Sequence, residues 1–275
     1  MLSIYHQFLA AYPLQAATVD GARWEYIRCG RGSETLLLLP GGFGAADTSF
    51  RYMLALKDDF SLISVSYPPN LASAAQLVDG LIELLGKLGI MWAHVLGGSA
   101  SGLVAQLLAR RRPDLIGALI LSHTSAPQPG RAPLADGAAS LFRALPLPLL
   151  RGCLRLLNRT FLPGSSPETR FWRGYFAQMI DTLPRAAYVN RMRWLAEIDR
   201  TGEWFPDSLP HPILLIEAEH DAIVGARARA ALARLYPQAR RVTLPAGAHA
   251  DTVTQPEAEI AIIRAFLRDV RADAA

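Results

Sequence analysis

The chain has 275 residues, of which 51% are apolar and 19% are charged, so it holds ample material for a buried core. This composition excludes an extended disordered chain. Two cysteines are too few for a disulfide framework or a cysteine-based zinc cluster. A net charge of +4 over this length gives no reason to expect a nucleic-acid partner. The length alone allows one large domain or two small ones.

The first predicted elements are the two strands of a hairpin. Runs of strand-forming residues at 14–19 and 23–28 are separated by Asp20-Gly21, a dipeptide that favours a tight hairpin turn. Further apolar runs alternate with helical patterns, which predicts an α/β fold whose mostly parallel sheet is flanked by helices. The predicted strands are 35–39, 61–66, 93–96, 116–121, 213–216 and 241–244, and the predicted helices lie near 47–57, 73–88, 100–112, 224–235 and 256–271.

The last predicted helix shows its start clearly. Pro256 stands in its first turn, and the nearby acids Glu257 and Glu259 suit the positive end of the helix dipole. Apolar residues then recur at helical spacing as far as Val270.

The alternation stops between residues 128 and 210, where helical patterns lie near 135–161, 168–181 and 185–199. We predict that this segment is an inserted helical cap (128–210) over a core domain formed by residues 1–127 and 211–275. Its ten aromatic residues either face a site or, as we expect for most of them, pack a small core of the cap itself. They are Phe142, Phe161, Phe171, Trp172, Tyr175, Phe176, Tyr188, Trp194, Trp204 and Phe205.

One stretch resembles a membrane span because residues 88–109 include no Asp, Glu, Lys or Arg. The glycine-rich centre at 97–102 would interrupt a continuous helix, so a buried strand followed by a buried helix explains the stretch better. The amino-terminal residues also lack the pattern of a secretory signal. The sequence therefore predicts a soluble, cytoplasmic protein without a membrane span.

The strongest chemical signal is Gly97-Gly98-Ser99-Ala100-Ser101-Gly102, which lies between a predicted strand and a predicted helix. A serine on such a turn, with small residues two positions before and after it, is typical of a nucleophile elbow. Ser101 stands where that pattern usually has glycine. Glycine- and serine-rich turns of this kind also bind phosphate, but no Gly-Lys-Ser/Thr follows, and the spacing of a dinucleotide-binding fingerprint is absent.

A nucleophilic serine needs a histidine base and an acid that orients the base. Asp221 and His249 follow two late predicted strands in the order serine, acid, histidine. The sequence therefore predicts Ser99, His249 and Asp221 as catalytic residues. His220 is a weaker candidate for the base, and His123 could face the site, although a structural role suits it better. We expect neither a metal nor a cofactor.

The negative charge that develops in such a reaction needs two backbone N–H donors. Ala100, the residue after the serine, should supply one of them. The other should come from the loop Pro40-Gly41-Gly42-Phe43-Gly44, where Gly42 is favoured and Phe43 is the less favoured alternative.

Over nearly its whole length the chain resembles the α/β-hydrolase superfamily, although Pro40-Gly41 stands where members usually have His-Gly. The segments that carry this resemblance are 36–44, 97–102, 112–114, 119–122, 219–221 and 247–249. More closely, segments 51–56, 66–68 and 235–241 resemble the maspardin-like branch. This resemblance implies a binding protein that lacks a complete triad. Here His249 is present.

We therefore expect a cofactor-free serine hydrolase that cleaves a carboxylic ester through an acyl-enzyme, on a small apolar or aryl substrate. The alternatives are a maspardin-like binding protein without turnover, and an enzyme that cleaves a C–C, lactone or thioester bond, or performs perhydrolysis, with the same triad. The sequence leaves the physiological substrate and the oligomeric state open.

Overall fold

The computed structural model describes residues 1–201, 209–245 and 247–274 and contains an eight-stranded sheet. Its strands are β1 (Gln15–Val19), β2 (Ala22–Cys29), β3 (Thr35–Leu39), β4 (Ser61–Ser66), β5 (Ala93–Gly98), β6 (Ile116–Ser122), β7 (Ile213–Ala218) and β8 (Arg240–Leu244). They lie in the order β1-β2-β4-β3-β5-β6-β7-β8. β2 pairs antiparallel with β1 and β4, and all other neighbours are parallel. The predicted mostly parallel α/β fold is confirmed.

The hairpin of β1 and β2 also follows the prediction. Asp20 and Gly21 both have positive φ angles, 46° and 74°. Two such residues in succession form the kind of turn whose twist matches that of the flanking strands.

The helices are α1 (Leu2–Ala11), α2 (Phe50–Leu56), α3 (Ala74–Lys87), α4 (Ala100–Arg111), α5 (Ala132–Ala144), α6 (Leu147–Phe161), α7 (Pro167–Thr182), α8 (Arg185–Arg200), α9 (Ala226–Leu235), α10 (Asp251–Thr254) and α11 (Glu257–Ala274). α1 and α10 were not predicted. The helical pattern at 135–161 is divided into two helices, because Leu145 is extended before Pro146 and proline disfavours helical backbone in the residue before it. None of the described helices is long and apolar enough to cross a membrane.

Both faces of the sheet are covered, which explains the unbroken apolar runs in the parallel strands. In β3, Leu37 and Leu39 face one buried cluster, which α3, α4 and α9 complete. Leu36 and Leu38 face the opposite cluster, which α1, α2 and α11 complete. Side chains of a strand alternate between its two faces, so one short leucine run contributes to both clusters.

The helices between β6 and β7 pack on the sheet domain. Trp194 of α8 belongs to the first buried cluster, whereas Trp172 and Phe176 of α7 belong to the second. Three of the ten aromatic residues of this segment therefore pack with the sheet, while a separate small core for most of the others stays a prediction. Trp204 and Phe205 lie outside the described residues.

Polar contacts fix α8 at two points. The carboxylate of Glu197 accepts a hydrogen bond from the backbone N–H of Ala74 at the start of α3, at 2.7 Å. The fully buried carboxylate of Asp199 accepts from the backbone N–H of Gln128 and from the guanidinium of Arg131. α8 is thereby attached both to the sheet domain and to the start of the inserted segment. The division into a core domain and a cap stays a prediction.

Candidate active site

Ser99 lies at the sharp turn between β5 and α4. Its backbone has φ 52° and ψ −125°, a conformation that costs a residue with a side chain about 1–3 kcal/mol. Its N–H donates to the carbonyl of Ser122 in β6 at 2.9 Å. The turn therefore places the serine at the carboxyl edge of the sheet, directly before the amino terminus of α4.

Two glycines make this turn possible. A Cβ added to Gly97 would lie 2.6 Å from the carbonyl oxygen of Ser101. A Cβ added to Gly102 would lie 2.4 to 2.5 Å from three side-chain atoms of Thr124. The Thr124 hydroxyl itself donates to the carbonyl of Ser99 at 2.6 Å, so a shift of this side chain would break that hydrogen bond. The glycine required after the serine is thus Gly102, three positions on, while Ser101 occupies the expected glycine position.

Asp221 and His249 reach Ser99 from the ends of β7 and β8. His249 Nδ1 lies 2.7 Å from Asp221 Oδ2, and His249 Nε2 lies 2.9 Å from Ser99 Oγ. A carboxylate only accepts hydrogen bonds, so Nδ1 carries the proton and Nε2 accepts from the serine hydroxyl. The structure thus brings together the three residues that the sequence singled out. His220 takes no part in this chain and points its side chain to solvent.

Asp221 is buried and yet held in its charged form. Burial alone would raise its pKa, but His123 beside it and the hydrogen bonds from His249 and the backbone of Val224 hold the pKa well below its usual value. Oδ1 accepts from the backbone N–H groups of Ile223 and Val224 at 2.8 and 2.7 Å. The carboxylate can therefore orient His249 and stabilise the imidazolium without taking up a proton.

His123 and Glu259 join the site beside this chain. His123 has φ 47°, is fully buried, and places Nδ1 3.4 Å from Asp221 Oδ2, on the oxygen that also faces His249. Its Nε2 lies 3.8 Å from the buried carboxylate of Glu259. Burial raises the pKa of Glu259 above its ordinary value, although His123 and the hydroxyls of Ser122 and Tyr52 act in the opposite direction.

The sequence did not identify Glu259 as a site residue, since an acid in the first turn of a helix suits the dipole wherever it points. The signal was its spacing, because Glu259 lies one turn before Ile263 on the buried stripe of α11. His123 follows β6 at the same edge of the sheet where Asp221 and His249 follow their strands, so it was placed near the site but given a structural role.

The loop that follows β3 forms a turn in which the N–H of Gly44 donates to the carbonyl of Gly41 at 2.9 Å. The two central N–H groups of this turn, those of Gly42 and Phe43, make no hydrogen bond with another described residue. The N–H of Ala100 opens α4, where the first N–H groups of a helix have no partner within it. These are the N–H groups that the sequence singled out as oxyanion donors, and all line or adjoin the cavity at Ser99.

Ser101 connects the elbow to this loop. Its hydroxyl is fully buried, donates to the carbonyl of Pro40, and accepts from the Tyr67 hydroxyl at 2.8 Å. The chain thus combines two departures from the family pattern, Ser101 for glycine and Pro40 for histidine, in one hydrogen-bonded contact. That contact fixes the start of the loop against the helix that follows Ser99.

A cavity of about 300 Å³ opens on Ser99 and His249. Phe161, the last residue of α6, places its ring 5.6 Å from the ring of His249. Phe176 of α7 stacks on Phe43 with ring centroids 4.8 Å apart. Helices of the inserted segment therefore supply an aromatic wall opposite the loop, and most of the cavity surface is apolar.

One group of described residues has the spacing of a metal site, namely His123, Asp221 and His249, with ligand atoms within 4.8 Å of one another. Two of these three already share a 2.7 Å hydrogen bond, and the second nitrogen of His249 faces a serine. The donor set therefore fits a proton-transfer chain better than a cation.

A family model described as "Alpha/beta hydrolase family" matches residues 36–262, a range that includes every residue of this site. The chain belongs to the alpha/beta hydrolase family. Over 274 residues this hydrolase is 26% identical to "Putative carbamate hydrolase RutD" of Caulobacter sp. (strain K31), which covers 92% of this chain and 98% of that protein. The resemblance to the maspardin-like branch stays a prediction.

Two further matches support less, one because it covers a short segment and the other because it shows the fold alone. The hydrolase is 34% identical over 115 residues to the dihydrolipoyllysine-residue acetyltransferase component of the acetoin cleaving system of Cupriavidus necator, a match that spans 39% of this chain and only 31% of that relative. The crystal structure of a hydrolase from Pseudomonas aeruginosa PA01 superposes with a TM-score of 0.79, at 24% identity over 93% of this chain and 98% of that one. This similarity shows the shared fold.

Replacing Gly102 by alanine should destabilise the hydrolase by about 1–3 kcal/mol, because the new methyl group overlaps Thr124. Urea unfolding of the variant measures the change. Gly137→Ala is the matched control, because a Cβ there meets nothing within 4 Å and alanine favours the helix. Equal stability of Gly102→Ala and Gly137→Ala would contradict the close approach at the elbow.

The raised pKa of Glu259 predicts a pH dependence of stability. The folded state holds this proton more tightly than the unfolded chain, so the resulting stability is present below the ordinary pKa of 4.5 and is lost as the pH rises through the folded value. Glu259→Gln has no proton to lose and should therefore gain stability relative to the parent as the pH rises from about 4 to about 8. Urea unfolding across that range measures the difference. Parallel curves for parent and variant would contradict the buried acid, and the exposed Glu257→Gln serves as the control.

Proposed function

We propose that this protein is a serine hydrolase that cleaves carboxylic esters with Ser99 as nucleophile, His249 as general base and Asp221 as the orienting acid. The observation that carries the proposal is the continuous hydrogen-bonded chain Ser99–His249–Asp221, with separations of 2.9 and 2.7 Å. Such separations are those that activation of a serine by a histidine requires.

The reaction follows from these positions. Ser99 Oγ attacks the carbonyl carbon while its proton passes to His249 Nε2, and the carbonyl oxygen becomes an oxyanion. The backbone N–H groups of Ala100 and Gly42, with Phe43 as the alternative to Gly42, donate to that oxyanion. The C–O bond then breaks, and the leaving alcohol takes the proton from His249.

Water completes the cycle. It attacks the acyl-enzyme while giving one proton to His249 Nε2, and the collapse of the second oxyanion releases the carboxylic acid and returns that proton to Ser99 Oγ. Asp221 stays ionised throughout, since its hydrogen bonds hold its pKa far below neutrality. The apolar cavity and the aromatic rings of Phe161 and Phe176 favour an apolar or aryl group on a small-molecule substrate.

Similarity to RutD favours a second candidate, the hydrolysis of a carbamate by the same residues. A carbamate presents the same carbonyl but carries nitrogen in place of carbon on one side, and a buried N–H needs an acceptor. p-Nitrophenyl acetate and p-nitrophenyl carbamate share a leaving group, so the ratio of their kcat/KM values compares the two chemistries directly. We expect the acetate to react faster because the cavity is mainly apolar.

Labelling with a fluorophosphonate tests the proposed nucleophile without requiring the natural substrate. The parent should gain one adduct by intact mass, whereas Ser99→Ala and His249→Ala should gain none within the same time, because the reagent needs an activated serine. Ser3→Ala, an exposed position in α1, should label like the parent. A folded parent that stays unlabelled, or equal labelling of all four proteins, would favour a binding protein without turnover.

The contact of Ser101 with Pro40 and Tyr67 predicts a change in rate. Ser101→Ala removes a donor and an acceptor between the elbow and the loop, so the N–H groups proposed to hold the oxyanion lose their fixed positions. The expected result is a fall in kcat of about tenfold with KM changed by less than about twofold, because the lost interaction belongs to the transition state. Steady-state kinetics beside Ser3→Ala measure it. An unchanged kcat would show that the contact does not position the loop.

A further inference from the structure

Part of the cavity wall is buried and polar although the cavity is mainly apolar. We define the inner wall as six of the buried residues that line the cavity, away from the exposed Ile223. These residues are Leu38, Ser49, Tyr52, Leu96, Ser122 and Glu259. They come from β3, β5, β6, α2, α11 and the turn before α2, so both the sheet and two helices hold them in place.

Two buried polar groups of the inner wall, Ser122 and Glu259, lie close to each other beside the cavity. Ser122 Oγ is buried and makes no hydrogen bond with any described residue. Glu259 is 3% exposed and lies 3.8 Å from His123 Nε2, beyond hydrogen-bond distance, and the nearby hydroxyls of Ser122 and Tyr52 lower its pKa without offsetting its burial. The Tyr52 hydroxyl faces Glu259 but donates its one proton to the carbonyl of Thr252 at 3.0 Å. Buried groups of this kind cost stability when unpaired, so a ligand that pairs with them gains by binding.

The charges around the inner wall restrict what that ligand carries. Burial raises the pKa of Glu259, and the ionised Asp221 lies on the far side of His123. No Arg or Lys is among the described residues that line the cavity. An anionic group on the ligand would therefore meet carboxyl groups without a compensating cation. An ammonium group would have to lose its hydration in a mainly apolar cavity, which costs far more than burying a hydroxyl.

Building on the hydrolase function proposed above, we propose that the inner wall binds a hydroxyl group at the end of an apolar chain of the substrate. Glu259 and Ser122 are then specificity-determining residues that hydrogen-bond this hydroxyl, while Leu38 and Leu96 contact the chain. Glu259 accepts or donates according to its protonation, and Ser122 Oγ can do both. The substrate class is an ester with a hydroxyl-terminated chain, with its reacting carbonyl at Ser99.

Matched esters test this on the parent protein. One series consists of p-nitrophenyl esters whose acyl chains of about four to eight carbons end in a methyl, hydroxyl, ammonium or carboxylate group. The other series consists of acetate esters whose alcohol chains end in the same four groups. In the series that reaches the inner wall, the hydroxyl compound should exceed its methyl isostere in kcat/KM by about tenfold at the best chain length, as expected for paired buried groups. In an unspecific apolar cavity the methyl compound would react faster.

Variants assign the preference to the two residues. Glu259→Leu and Ser122→Ala should each shift the hydroxyl-to-methyl ratio toward the methyl compound, whereas Glu259→Gln should retain most of it because an amide still accepts and donates. Glu257→Leu is the matched control on the exposed side of the same helix and should keep the parent ratio. Circular dichroism and thermal unfolding identify any variant that fails to fold. The hydroxyl-to-methyl ratio of the parent protein tests the inference even if a variant does not fold.

Calorimetric binding to Ser99→Ala separates this inference from the proposed reaction. Tighter binding of the hydroxyl ester than of its methyl isostere supports the inner wall even if the parent hydrolyses neither. Hydrolysis of both esters with no hydroxyl preference in either series overturns the inference and leaves the proposed function standing. A preference for the ammonium end that Glu259→Gln abolishes also overturns it and assigns the inner wall to a cation.

Discussion

Ser99 holds a backbone conformation that residues with a side chain rarely adopt, and the other groups of the site take their positions relative to it. The turn keeps this conformation because its surroundings leave no alternative. The N–H of Ser99 donates to Ser122, its carbonyl accepts from Thr124, and Gly102 allows that threonine to approach. Strain at a functional residue persists only where neighbouring contacts determine it, and here these contacts come from the end of β6, from the segment that follows it and from the start of α4.

The same packing brings the separate parts of the chain to one edge of the sheet. β5, β6, β7 and β8 are parallel neighbours, so the residues that follow them, Ser99, His123, Asp221 and His249, meet at their carboxyl ends. Helices of the inserted segment are held against this edge by Trp172, Phe176 and Trp194, which belong to the buried clusters of the sheet. The aromatic wall of the cavity is therefore positioned by the core of the protein.

Most of the fold was predictable because its signals are local. The strands are apolar runs bounded by turns, the hairpin has Asp20-Gly21, and the order serine, acid, histidine follows the late strands. α1 was missed because its residues show little helical periodicity, and Phe8 is the one residue of this helix that is buried. The packing of Trp172 and Trp194 depends on which helix meets which face of the sheet, and that information lies in tertiary contacts far apart in sequence.

The residues of the candidate site also fall into those that the sequence predicted and those that it did not. Ser99, Asp221 and His249 were predictable because their chemistry demands those residue types after particular strands. Glu259 was not, since nothing near it in sequence tells whether an acid in a first helical turn faces solvent or a cavity. Only the path of α11 across the sheet decides that, and it turns Glu257 outward and Glu259 inward.

The two buried acids of the site show how the surroundings of a carboxyl group determine its use. Asp221 receives hydrogen bonds from two backbone N–H groups and from His249, with His123 beside it, and these outweigh the cost of burial. Glu259 is as deeply buried, but the groups that face it do not outweigh that cost, and its pKa moves in the opposite direction. A carboxylate kept charged suits the orientation of a histidine, whereas a carboxyl that readily stays neutral suits a neutral polar group in an apolar cavity. Both acids have His123 as a neighbour, but they differ in role. Backbone N–H groups donate to Asp221, and no backbone N–H group of the described residues donates to Glu259.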